Sequence, residues 1–147
     1  MKRFEDVVRR MDISSISGDF VSPYTFQERD YFVCEYALAD GKRLYTQGGL
    51  AAAFGLEIPD SLEALVAIVC AWPVTPEYRQ ATVTFFSGLR EQAIRMNGAP
   101  SLFEMRVAAN GEESWICLSS AAAFRDGERT LQIRLMRVDN EKRELAR

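Results

Sequence analysis

The chain has no histidine among its 147 residues, and that absence excludes more chemistry than any other feature of its composition. It removes the usual haem ligand, the usual zinc ligand and the commonest general base near neutral pH. Many hydrolase mechanisms lose their central residue with it. Cysteine is scarce and odd in number: Cys34, Cys70 and Cys117 stand far apart, mostly among apolar neighbours. They read as reduced core thiols of a cytosolic protein, not as a disulfide framework. No run of Lys and Arg is long enough to neutralise successive phosphates, and the net charge is −3, so nucleic acid is not an expected partner. Metal binding would fall to carboxylates alone, and the Asp and Glu residues are dispersed. There is no apolar stretch of about 18 residues and no N-terminal apolar run behind a basic region. Neither membrane insertion nor secretion is encoded, and a cytoplasmic location is expected.

What is present suits a folded domain. Hydrophobic residues make up 48% and charged residues 27%, ordinary values for a globular chain. A chain of this length buries about 70% of its unfolded surface on folding. Residues 2–11 place Phe4, Val7, Val8 and Met11 on one helical face, with Arg3, Glu5, Asp6, Arg9 and Arg10 elsewhere. This predicts a leading amphipathic helix whose apolar face needs cover, from the outer face of its own sheet or from the same helix of a second chain, the symmetric pairing being the preferred reading. Residues 12–30, rich in Ser and interrupted by Gly18 and Pro23, read as a connector.

From residue 31 to 38, Phe32, Cys34, Tyr36 and Leu38 share one strand face, and Ala39-Asp40-Gly41-Lys42 turns the chain into a partner strand over 43–47. Residues 48–55 predict a turn or two of helix ending at Gly55. A second short helix follows, with Asp60 and Glu63 at capping-box spacing and Leu62, Leu65, Val66 and Val69 as its stripe; Pro73 limits its extent. Thr75-Pro76-Glu77 is a strong helix start, combining a threonine cap, a proline at the first helical position and an acid at the positive helix end. One long helix is predicted from there to Met96, burying Val83, Phe86, Leu89, Ala93 and Met96, despite Gly88. Strands over 102–108, 113–124 and 129–138 are separated by Asn110-Gly111 and Asp126-Gly127, the dipeptides that favour tight hairpins. In the last strand Leu131, Ile133 and Leu135 alternate with Gln132, Arg134 and Met136, predicting one buried face.

That order carries several motifs. Asn110-Gly111-Glu112-Glu113-Ser114-Trp115-Ile116, Phe124-Arg125-Asp126-Gly127-Glu128 and Val138-Asp139-Asn140-Glu141-Lys142-Arg143-Glu144 closely resemble the PAS subfamily that reads approximately "DG-x-x-x-W-V", "RDxxG" and "DITERKR". Thr75-Pro76-Glu77-Tyr78-Arg79 is similar to its "HPDDR", with Thr75 where the histidine usually stands. Asp40-Gly41-Lys42-Arg43-Leu44-Tyr45 is like the family's first hairpin. The resemblance, to a PAS fold-3-like sensory domain of bacterial signalling proteins, covers residues 31–147. In the closing motif, if Glu141 is the family's glutamate, Val138 stands in the aspartate's place and Asp139 one step later.

The resemblance implies an α+β fold: a five-stranded antiparallel sheet with short helices and one long helix on one face, preceded by the amphipathic helix. The expected division is 1–30 for helix and connector, 31–138 for the PAS-like domain and 139–147 for the start of a charged signalling helix. It further implies a pocket that in relatives holds haem, flavin, a small acid or nothing. Here haem is disfavoured by the missing histidine. A covalent flavin is disfavoured because Cys70 is followed by Ala71-Trp72 and no Asn-Cys-Arg-Phe-Leu pattern occurs.

A small-molecule cavity would draw Trp72, Phe85, Phe86 and Met96 from the helices and Tyr36, Tyr45, Trp115 and Cys117 from the sheet. Arg79 and Arg106 are the candidates for an anionic group. Ordinary core packing and surface salt bridges explain the same residues. The functional expectation is a non-enzymatic sensory and dimerisation module, with Phe4, Val7, Val8 and Met11 at a homodimer interface. It would relay ligand or partner binding to an output domain such as a diguanylate cyclase or histidine kinase. The alternative is a small α+β cone-fold enzyme of isomerase type, using a buried carboxylate, Glu35 or Glu104, as base.

Overall fold

The computed structural model describes residues 27–95 and 101–139, and side chains outside 93–95 within them. A 3-10 turn, Glu28–Asp30, leads into β1 (Tyr31–Ala37) and β2 (Arg43–Gln47). Three helices follow, α1 (Leu50–Ala53), α2 (Leu62–Ile68) and α3 (Pro76–Ser87), with a 3-10 turn at Val69–Ala71 between the last two. Then come α4 (Leu89–Arg95) and the meander β3 (Ser101–Ala109), β4 (Glu112–Arg125) and β5 (Glu128–Arg137). The sheet order is β2-β1-β5-β4-β3, every pair antiparallel. The last strand therefore returns to lie beside the first, and the helices between β2 and β3 cover one sheet face. Phe32, Cys34 and Tyr36 from β1, Met105 and Val107 from β3, Ile116 and Leu118 from β4, and Leu131, Ile133 and Leu135 from β5 meet Leu50, Leu62, Leu65, Trp72, Phe86 and Leu89 in one core.

Both meander hairpins form where the dipeptides require them. Asn110 and Gly111 have φ of 54° and 79°, and Asp126 and Gly127 have 52° and 82°. Two successive left-handed residues match the twist of the flanking strands, which is why Asn-Gly and Asp-Gly are selected there. At Gly48 the demand is steric: a Cβ would lie 2.3 Å from the Tyr31 carbonyl oxygen. The end of β2 can fold against the start of β1 only without a side chain at this position.

Four local expectations are corrected. The predicted helix from Pro76 is broken at Gly88, whose αR but non-ideal backbone (φ −95°, ψ −3°) closes α3 before α4 begins. Ser61, not Asp60, caps α2: its Oγ accepts from the Ala64 N–H at 3.1 Å, while Asp60 pairs with Arg43 at 2.8 Å. Thr75 holds the cap position of α3, but its buried hydroxyl makes no capping bond; its backbone N–H is committed to the Arg106 carbonyl of β3 at 2.8 Å. Cys34 and Cys117 are buried thiols, but Cys70 is exposed. Burial pushes the Cys34 thiol up to about 12. Replacing Ser61 with alanine is expected to cost about 1 kcal/mol of stability, the usual loss for an N-cap, measurable by chemical denaturation; Asp60→Ala should cost less.

The predicted leading helix, with Phe4, Val7, Val8 and Met11, lies outside the described residues, as do Met96 and the charged segment from 140 to 147.

Candidate functional site

Four of the predicted cavity residues, Tyr36, Trp72, Phe85 and Phe86, come together on the helix side. Tyr36 is fully buried on β1, and its hydroxyl donates to the Pro59 carbonyl at 2.9 Å; burial raises its pKa. Trp72 donates its indole N–H to the Glu57 carbonyl at 3.3 Å. Its ring meets Phe86 edge-on with centroids 5.2 Å apart. Phe85 touches Phe86 at 5.5 Å and stacks on Phe103 of β3 at 5.2 Å. The polar ends of Tyr36 and Trp72 are thus satisfied by the loop between α1 and α2, and their rings are packed in the core.

The remaining sheet residues do not face them. Strand alternation and register place Tyr45 beside Glu35, Trp115 beside Arg106 and Cys117 beside Met136, all opposite the helix-facing set. The single cavity wall expected from Tyr36, Tyr45, Trp115 and Cys117 is therefore split between two faces. Arg106 forms an ion pair with Glu113 at 2.6 Å and lies over the Trp115 ring at 5.3 Å, and Tyr78 reaches that ring edge-on at 5.5 Å. Arg79 donates to the Val74 carbonyl at 3.2 Å. It borders an open cleft of about 490 Å³ with Pro73, Thr75, Pro76, Glu77, Ala108 and Glu113.

The outer sheet face carries a polar chain that sequence reasoning did not assemble. Glu35 is only 1% exposed. Its carboxylate accepts from Arg125 Nη2 at 2.9 Å and Nε at 3.2 Å, from Thr130 Oγ1 at 2.9 Å and from Gln132 Nε2 at 3.4 Å. Arg134 donates to Gln132 at 3.0 Å. Arg125 also lies over the Tyr45 ring at 5.3 Å, the Tyr45 hydroxyl donates to Gln47, and Gln47 donates to Tyr31 at 3.1 Å. Burial, the largest single influence, pushes the Glu35 pKa up; the bonds from Arg125, Thr130 and Gln132 and the Arg125 charge together outweigh it and hold it below the ordinary value. A general base of the raised-carboxylate kind needs the opposite shift, so Glu35 has the burial but not the proton affinity that the enzyme alternative requires. The only hint in the sequence is an acid inside the apolar run Phe32-Val33-Cys34-Glu35-Tyr36.

A second polar group stands where the chain leaves the sheet. Asp139 Oδ1 accepts the Trp115 backbone N–H at 2.8 Å, and Val138 N–H donates to the Trp115 carbonyl at 2.9 Å. The aspartate that sits one residue late in the closing motif therefore binds the motif tryptophan's backbone. Among the described residues, no group of three or more Cys, Asp or Glu is placed to hold a metal ion, and no helix is long and apolar enough to cross a membrane.

No known family profile matches the sequence, and no curated protein matches it. Solved structures do. An RNA-binding light-oxygen-voltage receptor aligns over 80% of this chain and 30% of its own, at 15% identity and a TM-score of 0.54. The sensor region of a sensor histidine kinase aligns over 97% of this chain and 54% of its own, at 13% identity and 0.51. The N-terminal domain of a diguanylate cyclase with PAS/PAC sensor from Marinobacter aquaeolei aligns over 76% and 98%, at 18% identity and 0.49. The chain thus spans less than two thirds of the first two proteins. Strand order, helix placement and hairpin positions agree with the motifs in the sequence, and the fold is the PAS fold.

Proposed function

We propose that this chain is a non-enzymatic sensory and dimerisation module of a bacterial signalling protein, with residues 31–138 as its PAS domain. It relays ligand or partner binding to an output domain of the diguanylate cyclase or histidine kinase kind. Homodimer contacts are assigned to Phe4, Val7, Val8 and Met11, and a cytoplasmic location belongs to the same proposal. The observation that carries the reading is the exit from β5. Asp139 and Val138 hydrogen-bond both backbone groups of Trp115 in β4, so a shift of β4 against β5 pulls directly on the segment that leaves the domain. A two-state packing biased by binding needs such a mechanical tie. A ligand would enter by rearranging the packed side of the sheet around Tyr36, Trp72 and Phe86, or would meet Arg79 and Arg106 at the open edge; Tyr45, Trp115 and Cys117 then serve the outer face.

Native mass spectrometry of the purified chain, with its absorption spectrum, tests this. A mass of twice the chain is expected, and Val7→Asp with Met11→Asp should return it to one. A bare monomer with no added mass would count against both pairing and a resident ligand.

A further inference from the structure

One side chain near the exit faces three carboxylates through three different nitrogens and closes on none of them. The Arg137 guanidinium lies 3.7 Å from Asp30, 4.0 Å from Glu112 and 3.5 Å from Asp139. These carboxylates belong to three places: the turn before β1, the start of β4, and the residue that binds the Trp115 N–H. None is at the roughly 2.7–2.9 Å of a closed guanidinium–carboxylate bond. Arg137 Nε is buried without a hydrogen-bond partner. Beneath the group lies the Phe54 ring, 4.9 Å from the guanidinium carbon. A ring holds a guanidinium by its face and leaves the N–H edges to choose among acceptors. Asp30 lies off Nη1 and Asp139 off Nε, so a guanidinium closed on neither can tighten on one by drawing away from the other.

We propose that Arg137 is a two-position joint between the start and the exit of the domain. In one position it closes on Asp30 and leaves Asp139 held by the Trp115 N–H alone. In the other it closes on Asp139, fixes that carboxylate against Trp115 and frees the turn Glu28–Asp30. The joint rests on the relay reading for its purpose, since it lets a change at either end of the domain be felt at the other. Phe54 is the pivot, which places the short helix α1 under the switch.

Amide hydrogen exchange on the intact chain, read by NMR, tests the joint. The Trp115 N–H reports the exit, and the Gly49 N–H, bonded to the Glu28 carbonyl at 2.8 Å, reports the start. Asp30→Asn removes one competitor, so Arg137 should close on Asp139 and slow Trp115 exchange about threefold, within the range measured for single ion pairs near the surface. Asp139→Asn should slow Gly49 by a similar factor, and Arg137→Gln should accelerate both amides while Leu118 and Leu135 hold their rates. An unchanged Trp115 rate in Asp30→Asn overturns the proposal. So does Arg137→Gln if it accelerates the core amides equally, because that is loss of stability rather than of a joint. Should Arg137→Gln fail to fold, the two aspartate variants still decide. Coupled exchange together with an unaltered output in the full-length protein would sink the relay reading and leave the joint standing.

Discussion

Glu35→Ala is expected to lower the unfolding free energy by about 2–3 kcal/mol, because it removes the acceptor of charge-assisted bonds and strands a buried hydroxyl. Thr130 is fully buried, so its hydroxyl, which donates a hydrogen bond to Glu35, would have no ready replacement in bulk water. Gln132 and Arg125 lose the same acceptor, but both reach solvent more easily and contribute less. The pH dependence gives an independent readout. In the folded protein Glu35 titrates below its ordinary value, and in the unfolded chain near about 4.3. Across that window the unfolded state binds more protons, so the stability Glu35 contributes is fully present above the unfolded pKa and is lost as pH falls through the folded one. Urea unfolding between pH 7 and pH 3 should therefore show a steeper acid decline for the native chain than for Glu35→Gln. Parallel declines would mean that the carboxylate is not the group holding the outer face together.

What the sequence disclosed and what it hid divide by distance along the chain. The hairpins at Asn110-Gly111 and Asp126-Gly127 were legible because a turn is specified by the two residues that form it. The strands beside them were found to within a residue or so for the same reason. The bond from Arg125 to Glu35 spans 90 positions. It exists only because β5 returns between β1 and β4, which no local pattern encodes. The face of Trp115 was hidden for a different reason. From Ile116 to Ser120 β4 is buried on both sides, so the alternation that would assign a face is absent. The cap of α2 shows a smaller version of the problem. Asp60 and Ser61 are both good caps, and the choice fell to Ser61 because Arg43, reached through β2, takes the aspartate.

The largest loss should come from Phe86→Ala, about 3–5 kcal/mol, the usual cost of removing a buried aromatic ring when its neighbours collapse only in part. Phe86 is 1% exposed and sits between Trp72 and Phe85. Its removal would take away both edge contacts and open a space in the core beside Trp72 and Phe85. Collapse is resisted from both sides. Trp72 is tied to the Glu57 carbonyl, and Phe85 is stacked on Phe103. Thermal unfolding measures the loss; adding a small apolar compound such as benzene then asks what the helix side is for. If the site is a rigid core, the vacated volume stays and benzene restores part of the melting temperature to the variant while leaving the native chain unmoved. If Tyr36, Trp72 and Phe86 instead line a site that opens for ligand, small apolar compounds should raise the native chain's melting temperature as well, and the cost of Phe86→Ala should fall below about 2 kcal/mol because the walls already relax. For the function proposed above, the two outcomes separate a ligand site in the helix-side core from one at the edge where Arg79 and Arg106 stand.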